Sequence, residues 1–599
     1  MTRILFTPVY DPEPLLGRWA ATDQMAYRLT RRQGLFTLEE HAHAWPIHIL
    51  AQNVEASSVL LEWPSMEEFE EELTKGQFDY VAISFMNRDV DKLVEMSAAV
   101  RRLQLKAKIV IGGYGVICLS DKKAGEQDID ADHICRSEGV QFMRQLLGEP
   151  VGRPVSCMMP QSGSTLPWLA RRSRGTVGSV LAALGCTKRC PFCATSYYTG
   201  GKLMEVLGVQ QLFDSMRAYW DVNPFTSTVN VYDENFLDYK DRVDALGVKI
   251  REDEKYGLRA LNYFTFGSLS AISKYEPDEL LLNGLDTVWI GVESYFSRLK
   301  KTRTETNQDT YDLGQRTNDT RSTFKALHEV GIKTIGSWIM GLDCQNRMNV
   351  GEDESFFVNL NPTFQQISLL TVEPEMPLGR QYGTSGPGGK RWPWRNFHLY
   401  GQTYVPTNFT FDEMLQRVDA LYHRLFLENG PSIQRMLESN LSGYRHCKAS
   451  KHALLRDQKS ISFQRRIQGQ APMLAVIKEY GPTPAVRARA AELDREVEGL
   501  FGAGDSVKER YREHLLRAAA QEFALRGHDE RPIRTDGSRR YEYGPQSAAP
   551  VGRKPYVKTR TRLREYEPAA HPPSSDAIPA EAAAAAMAAA TAANASQGL

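Results

Sequence analysis

Cys186-Thr-Lys-Arg-Cys190-Pro-Phe-Cys193 follows the apolar run Val180-Leu-Ala-Ala-Leu184, with only Gly185 between them. Three thiols at spacings of four and three, placed just past a strand-like run, make a compact set of soft ligands. Thiolate sulfur suits zinc or an iron–sulfur cluster. Structural zinc closes a tetrahedron with four protein ligands. No fourth Cys or His lies at short spacing: Cys157 is far upstream, and Cys344 and Cys447 are far downstream. A [4Fe–4S] cluster held by three thiolates leaves one iron open to a further ligand.

Downstream, strand signals recur at Thr228–Tyr232, Asn262–Gly267, Thr287–Val292, Lys333–Met340 and Phe364–Thr371, six with Val180–Leu184. Helical patterns such as Arg321–Val330 lie between several of them, which suits a partial (β/α)6 barrel with its chemistry at the C-terminal strand ends. Those ends carry Tyr232-Asp-Glu-Asn-Phe236, Gly291-Val-Glu-Ser294, Gly341-Leu-Asp343 and Glu373-Pro-Glu-Met-Pro-Leu-Gly379. The Cys-x-x-x-Cys-x-aromatic-Cys pattern, with Phe192 as the aromatic residue, resembles the motif of the radical SAM family. The strand-end sequences are similar to that family's Asp-Asp-Asn-Phe and Gly-x-Glu-Ser stretches. The resemblance implies that Cys186, Cys190 and Cys193 hold a [4Fe–4S] cluster. S-adenosylmethionine (SAM) would then chelate the open iron, with Phe192, Glu234, Asn235, Glu293 and Ser294 as candidate contacts. An electron from the cluster would cleave its sulfonium to a 5′-deoxyadenosyl radical. A flavodoxin- or ferredoxin-type electron donor is implied as partner.

Upstream, short apolar runs alternate with helical patterns. Ile4–Phe6, Val59–Trp63, Tyr80–Phe85 and Lys108–Gly112 read as strands. Leu93, Val94, Met96, Ala99, Val100 and Leu103 approximate one face of a helix between the last two. This order implies an open parallel α/β sheet whose ligands sit beyond the C-terminal strand ends. Phe78-Asp-Tyr-Val-Ala-Ile-Ser84, Lys108-Ile-Val-Ile-Gly-Gly113 and Asp132-His-Ile-Cys-Arg-Ser-Glu-Gly139 resemble the cobalamin-binding domain that precedes many radical SAM cores. Ser84, Gly112, Gly113, Tyr114, Glu138 and Gly139 are the candidate cobalamin contacts. The Asp-x-His-x-x-Gly motif of other cobalamin proteins is absent; Asp11-Pro-Glu-Pro-Leu-Leu-Gly17 follows the first strand. His41, His43 and His48 read as ordinary helix or loop histidines, because 41 and 43 face different ways on a helix.

The chain of 599 residues has 73 basic and 73 acidic side chains, which argues against nucleic-acid binding by bulk charge. Its 42% hydrophobic content supports buried cores, and the length gives a prior of roughly four domain-sized units. Eight cysteines are too few for a disulfide scaffold. Cys118, Cys135, Cys157, Cys344 and Cys447 read as free thiols, too widely spaced for a second cluster. Met1-Thr-Arg-Ile-Leu-Phe-Thr-Pro8 does not read as a secretory signal, and no run of about 18 apolar residues predicts a membrane span. A cytoplasmic location is expected.

Composition shifts divide the chain into an α/β unit (1–148), a linker (149–174), the barrel (175–382) and a helical C-terminal region (383–530). Helices are predicted over Phe411–Asn440 and Ala485–Arg526, and the Gly-rich loop at 383–389, with Trp392 and Trp394 beyond it, is a lid candidate. From Arg531 to Arg564, ten basic and two acidic residues with several Pro and Gly predict a solvated arm, with peripheral contact to an anionic lipid surface as the sharper alternative. Fifteen alanines among the last 31 residues predict a disordered tail. The resemblance implies hydrogen abstraction from an unactivated carbon of a small-molecule or lipid substrate. Methyl transfer is the leading outcome if cobalamin is bound. Coupling, cyclisation or rearrangement beside a vestigial cobalamin domain is the first alternative, and a noncatalytic iron–sulfur or cobalamin sensor the second. No catalytic residue is assigned.

Overall fold

A computed structural model describes residues 2–544 except 11–24, 41–42, 121–128, 158, 170–174, 297–312, 375, 503, 505, 530–533 and 536–537, with two short strands beyond 555. The alanine-rich tail, the Asp11–Gly17 stretch, His41 and the Cys118 side chain lie outside the described residues.

Two parallel sheets carry the molecule. The N-terminal sheet is built on β1 (Arg3–Pro8), β2 (Ser57–Glu62), β3 (Tyr80–Ser84), β4 (Lys108–Gly112) and β5 (His133–Ile134). β1 pairs in parallel with both β2 and β3, β3 with β4, and β4 with β5. Their central residues are buried from both sides, which is why they read as unbroken apolar runs. Crossover helices cover the faces: α1 (Trp45–Asn53), α2 (Met66–Lys75), α3 (Val90–Leu103) and α4 (Gly139–Leu147). α2 starts at a capping box. Ser65 Oγ accepts the Glu68 N–H at 3.2 Å, and the Glu68 carboxylate accepts the Ser65 N–H at 2.9 Å.

The second sheet has six parallel strands in chain order: β6 (Val177–Leu181), β7 (Thr228–Tyr232), β8 (Tyr263–Phe266), β9 (Leu285–Glu293), β10 (Lys333–Met340) and β11 (Phe364–Leu369). This is the open, incomplete barrel that the spacing predicts, with all its C-terminal ends at one mouth. The predicted helix over 411–440 is two, α5 (Phe411–Asn429) and α6 (Ser432–Ala449), because Gly430 turns at φ +77° and Pro431 follows. α5 lies along β11, where Tyr422 Oη accepts the Ile367 N–H at 2.9 Å. The predicted C-terminal helix is likewise α7 (Pro484–Phe501) and α8 (Ser506–Arg526).

Beyond the Gly-rich loop at 383–389, Trp394 and Phe397 are buried in the N-terminal apolar core. One expectation is corrected. The basic arm is not simply solvated. Arg539–Tyr543 forms β12, antiparallel to β2, and Tyr556–Lys558 forms β13, antiparallel to β12. The alternation of Tyr541 and Tyr543 with Arg540 and Glu542 is that of a strand with one apolar face. Among the described residues, no helix is long and apolar enough to cross a membrane.

Candidate active site

The cysteine loop leaves the barrel sheet after β6. Its base is pinned where Ala183–Leu184 pairs antiparallel with Met204–Glu205. Gly185 has φ +85°, and a Cβ there would lie 2.2 Å from Thr199 Oγ1 and 2.3 Å from the Lys202 carbonyl. Only glycine fits immediately before Cys186. Gly185→Ala is therefore expected to lower the iron content of the reconstituted protein severalfold while the far-UV circular dichroism is kept, since strain of about 1–2 kcal/mol falls on this loop alone.

None of the three cysteines is in a disulfide, and all are partly buried. The Cys193 N–H donates to the Cys190 carbonyl at 3.0 Å. The Cys186 sulfur meets the Lys188 N–H, and the Cys193 sulfur meets the N–H groups of Thr195 and Ser196. Such donors stabilise negative charge on cluster thiolates. A single tetrahedral zinc, with bonds of about 2.3 Å, would draw its ligands closely together. Among the described residues, the one trio gathered within 4.8 Å is His43, His48 and Glu62, not the cysteines. Three thiolates with no fourth protein ligand at short spacing fit a cluster with one open iron. Phe192 packs on Ile339, Val372 and Leu378 beside the mouth, and the Leu378 N–H reaches the Pro191 carbonyl at 3.5 Å.

Residues 181–353 match the radical SAM superfamily model. The chain carries a radical SAM domain. No curated protein sequence matches the chain. The radical S-adenosylmethionine methyltransferase TsrM from Kitasatospora setae, solved with cobalamin and a [4Fe–4S] cluster bound, is 15% identical with a TM-score of 0.50, over 79% of this chain and 100% of that one. Its structure with tryptophan substrate and a SAM analogue is 16% identical with a TM-score of 0.48, over 87% and 100%. At such identity the likeness to TsrM shows a shared fold. The radical SAM family uses a [4Fe–4S] cluster and SAM, and Cys186, Cys190 and Cys193 are the residues here that would hold the cluster.

The remaining candidate residues separate into groups. Glu234 and Tyr114, assigned from sequence to different cofactors, meet: Tyr114 Oη donates to Glu234 Oε1 at 3.0 Å, and the Tyr114 ring stands edge-on to Tyr198 at 4.9 Å. Burial pushes the Glu234 carboxyl up to about 6, against the pull of this hydrogen bond. Asn235 Oδ1 accepts the Ser268 N–H at 2.9 Å, while its Nδ2 is buried without a partner at the mouth. Glu293 ends β9 at φ +64°, a left-handed turn that a non-glycine residue adopts at a cost and that marks functional sites. Ser294 points elsewhere. Its hydroxyl donates to the buried Asp353 at 2.5 Å, and Asp353 also takes N–H groups from Tyr295, Trp338 and Gln345.

In the N-terminal unit, Ser84 and Gly112 face each other across β3 and β4. Gly113 has φ +99°, and a Cβ would meet the Phe85 carbonyl at 2.6 Å, so its own turn already requires glycine. Glu138 is engaged as the N-cap of α4, accepting from Val140 and Gln141 at 2.7 and 2.8 Å. Gly139 faces Leu50. Sequence reasoning did not find Asn87, just past Ser84, whose amide donates to the Glu373 carboxyl of the last strand-end stretch.

Proposed function

We propose that this radical SAM enzyme binds cobalamin in the cleft of its N-terminal sheet and transfers a methyl group to an unactivated carbon. The observation that carries the reading is the Tyr114–Glu234 hydrogen bond, which links a candidate cobalamin contact to a candidate SAM contact. TsrM, a methyltransferase holding cobalamin and a [4Fe–4S] cluster, supports it with a fold of this kind. When bound, the cluster supplies the electron that breaks the SAM sulfonium, and cobalamin supplies the methyl carrier.

The protein's part is placement. The cysteine loop would hold the cluster at the mouth, Phe192 would give an apolar wall beside it, and Glu293, Glu234 and the unpartnered Nδ2 of Asn235 would offer polar contacts to SAM. Tyr114 spans from the N-terminal sheet and favours the ionised form of Glu234. Removing that donor in Tyr114→Phe is expected to raise the Glu234 midpoint above its value near 6, so that SAM affinity measured against pH loses its acid limb at higher pH than in the wild type. An unmoved limb would detach Glu234 from SAM binding. The main test is expression with hydroxocobalamin followed by anaerobic reconstitution. Protein free of cobalt, yet forming 5′-deoxyadenosine from SAM under dithionite, would remove methyl transfer from the reading and leave the radical chemistry.

A further inference from the structure

At the seam between the N-terminal sheet and the barrel, one buried acceptor lacks a donor and a neighbouring carboxylate lacks a cation. Glu373 stands just past β11, on the stretch that reaches Pro191 of the cysteine loop through Leu378. Asn87 stands in the turn after β3. Its amide N–H donates to Glu373 Oε2, and it is the group that acts on that carboxyl against burial. No lysine, arginine or histidine among the described residues offsets the charge. The other end of Asn87, Oδ1, is buried with no hydrogen-bond partner on a side chain only 8% exposed. A buried acceptor without a donor and a buried carboxylate without a cation are each costly. Here they are neighbours, and Met86 in the same turn leaves a large apolar side chain 50% exposed beside them.

One chemical group supplies both needs. We propose that Asn87 and Glu373 bind the protonated amino group of a ligand seated in the seam, Asn87 Oδ1 and the Glu373 carboxylate each accepting one of its N–H bonds. An alcohol could donate to one acceptor but would not neutralise the carboxylate. An anion would be repelled. The inference rests on the cofactor-cleft reading above and adds the class of ligand: a substrate that carries an amine. Burial pushes Glu373 up to about 7, so the carboxylate is formed as pH rises through that value and amine binding strengthens with it.

The test is calorimetric titration of the full-length protein, with and without reconstituted cofactors, using phenethylammonium, the neutral 2-phenylethanol and SAM. At pH 8 the wild type is expected to bind phenethylammonium at least about tenfold more tightly than 2-phenylethanol. The preference should collapse at pH 6 and in E373Q, and fall severalfold in N87A. SAM affinity is expected to be unchanged in E373Q, because the site takes the amine of the substrate. A roughly tenfold loss of SAM affinity in E373Q, with no preference of the wild type for phenethylammonium over the alcohol, would overturn the proposal. If both variants bind the amine and SAM as the wild type does, the proposal is overturned. Should E373Q not fold, N87A carries the same comparison. Visible absorption recorded first reports cluster and cobalamin separately, so loss of the cofactor reading is not confused with loss of the amine site.

Discussion

Alanine at Cys186, Cys190 or Cys193 is expected to eliminate the [4Fe–4S] absorption of the reconstituted protein and, with it, 5′-deoxyadenosine formation, by at least about a thousandfold. The size of the effect follows from the absence of a spare cysteine ligand among the described residues. Cys135, Cys157 and Cys447 are buried in other parts of the molecule. The Cys344 sulfur is turned to Ser294 Oγ at 3.9 Å, although its neighbours include Phe192. Three thiolates are the minimum that holds a cube with one open iron, and with two the cluster is lost or rearranged. Cys344→Ala and Cys447→Ala are the controls, expected to keep full iron content. Cluster absorption surviving in Cys190→Ala would sink the assignment of the loop. The same variants should leave the thermal transition nearly unmoved, because the loop is anchored at its base by Ala183–Leu184 and Met204–Glu205 and by the Lys188–Asp238 pair at 3.1 Å.

Much of the fold was legible because its signals are local. β4, β7 and β10 coincide with the predicted strands, since a parallel strand covered on both faces is built mainly of apolar and β-branched residues. The cysteine spacing fixes its own chemistry for the same reason. What escaped were pairings that only the folded chain creates. Ser294 has the right residue type at the right strand end, but sequence does not report direction, and Asp353 takes its hydroxyl. Asn87 and Glu373 lie 286 positions apart and gave no shared signal. The histidines at 43 and 48 read as unremarkable because their common partner, Glu62, belongs to a strand they do not touch in sequence. β12 was hidden in a basic, Pro- and Gly-rich stretch. Its alternation of Tyr and charged residues spans only five positions, and its pairing partner β2 lies at the other end of the chain.

That last pairing carries the second large effect. Glu62 ends β2 fully buried, and five groups converge on its carboxylate. His48 Nε2 lies at 2.8 Å, His43 Nδ1 at 3.1 Å, and the Ala44 N–H and Tyr541 O–H donate at 2.8 and 3.0 Å. The Arg539 guanidinium is 3.6 Å away. Burial alone would raise the carboxyl, but the facing His43 and His48 overcome it and hold Glu62 well below the usual carboxylate range. A depressed folded-state value means the stabilisation is present above the ordinary carboxylate range and is lost as pH falls beneath it. Two of the five groups, Arg539 and Tyr541, come from β12, so the carboxylate also fastens the end of the chain to the N-terminal sheet; Tyr543 joins through His48 Nδ1 at 3.1 Å. Glu62→Ala strands these donors in a dry site and is expected to cost about 3–5 kcal/mol. Tyr541→Phe, which removes one donor among several, should cost about 1 kcal/mol. Urea unfolding with hydrogen exchange of β2 and β12 measures both, and a Glu62→Ala protein as stable as Tyr541→Phe would show that the carboxylate is not what holds the strand. Deletion from residue 531 onward should uncover the β2 edge, a template for intermolecular pairing, so the shortened protein is expected to aggregate while the cysteine loop, on the other sheet, still takes up iron.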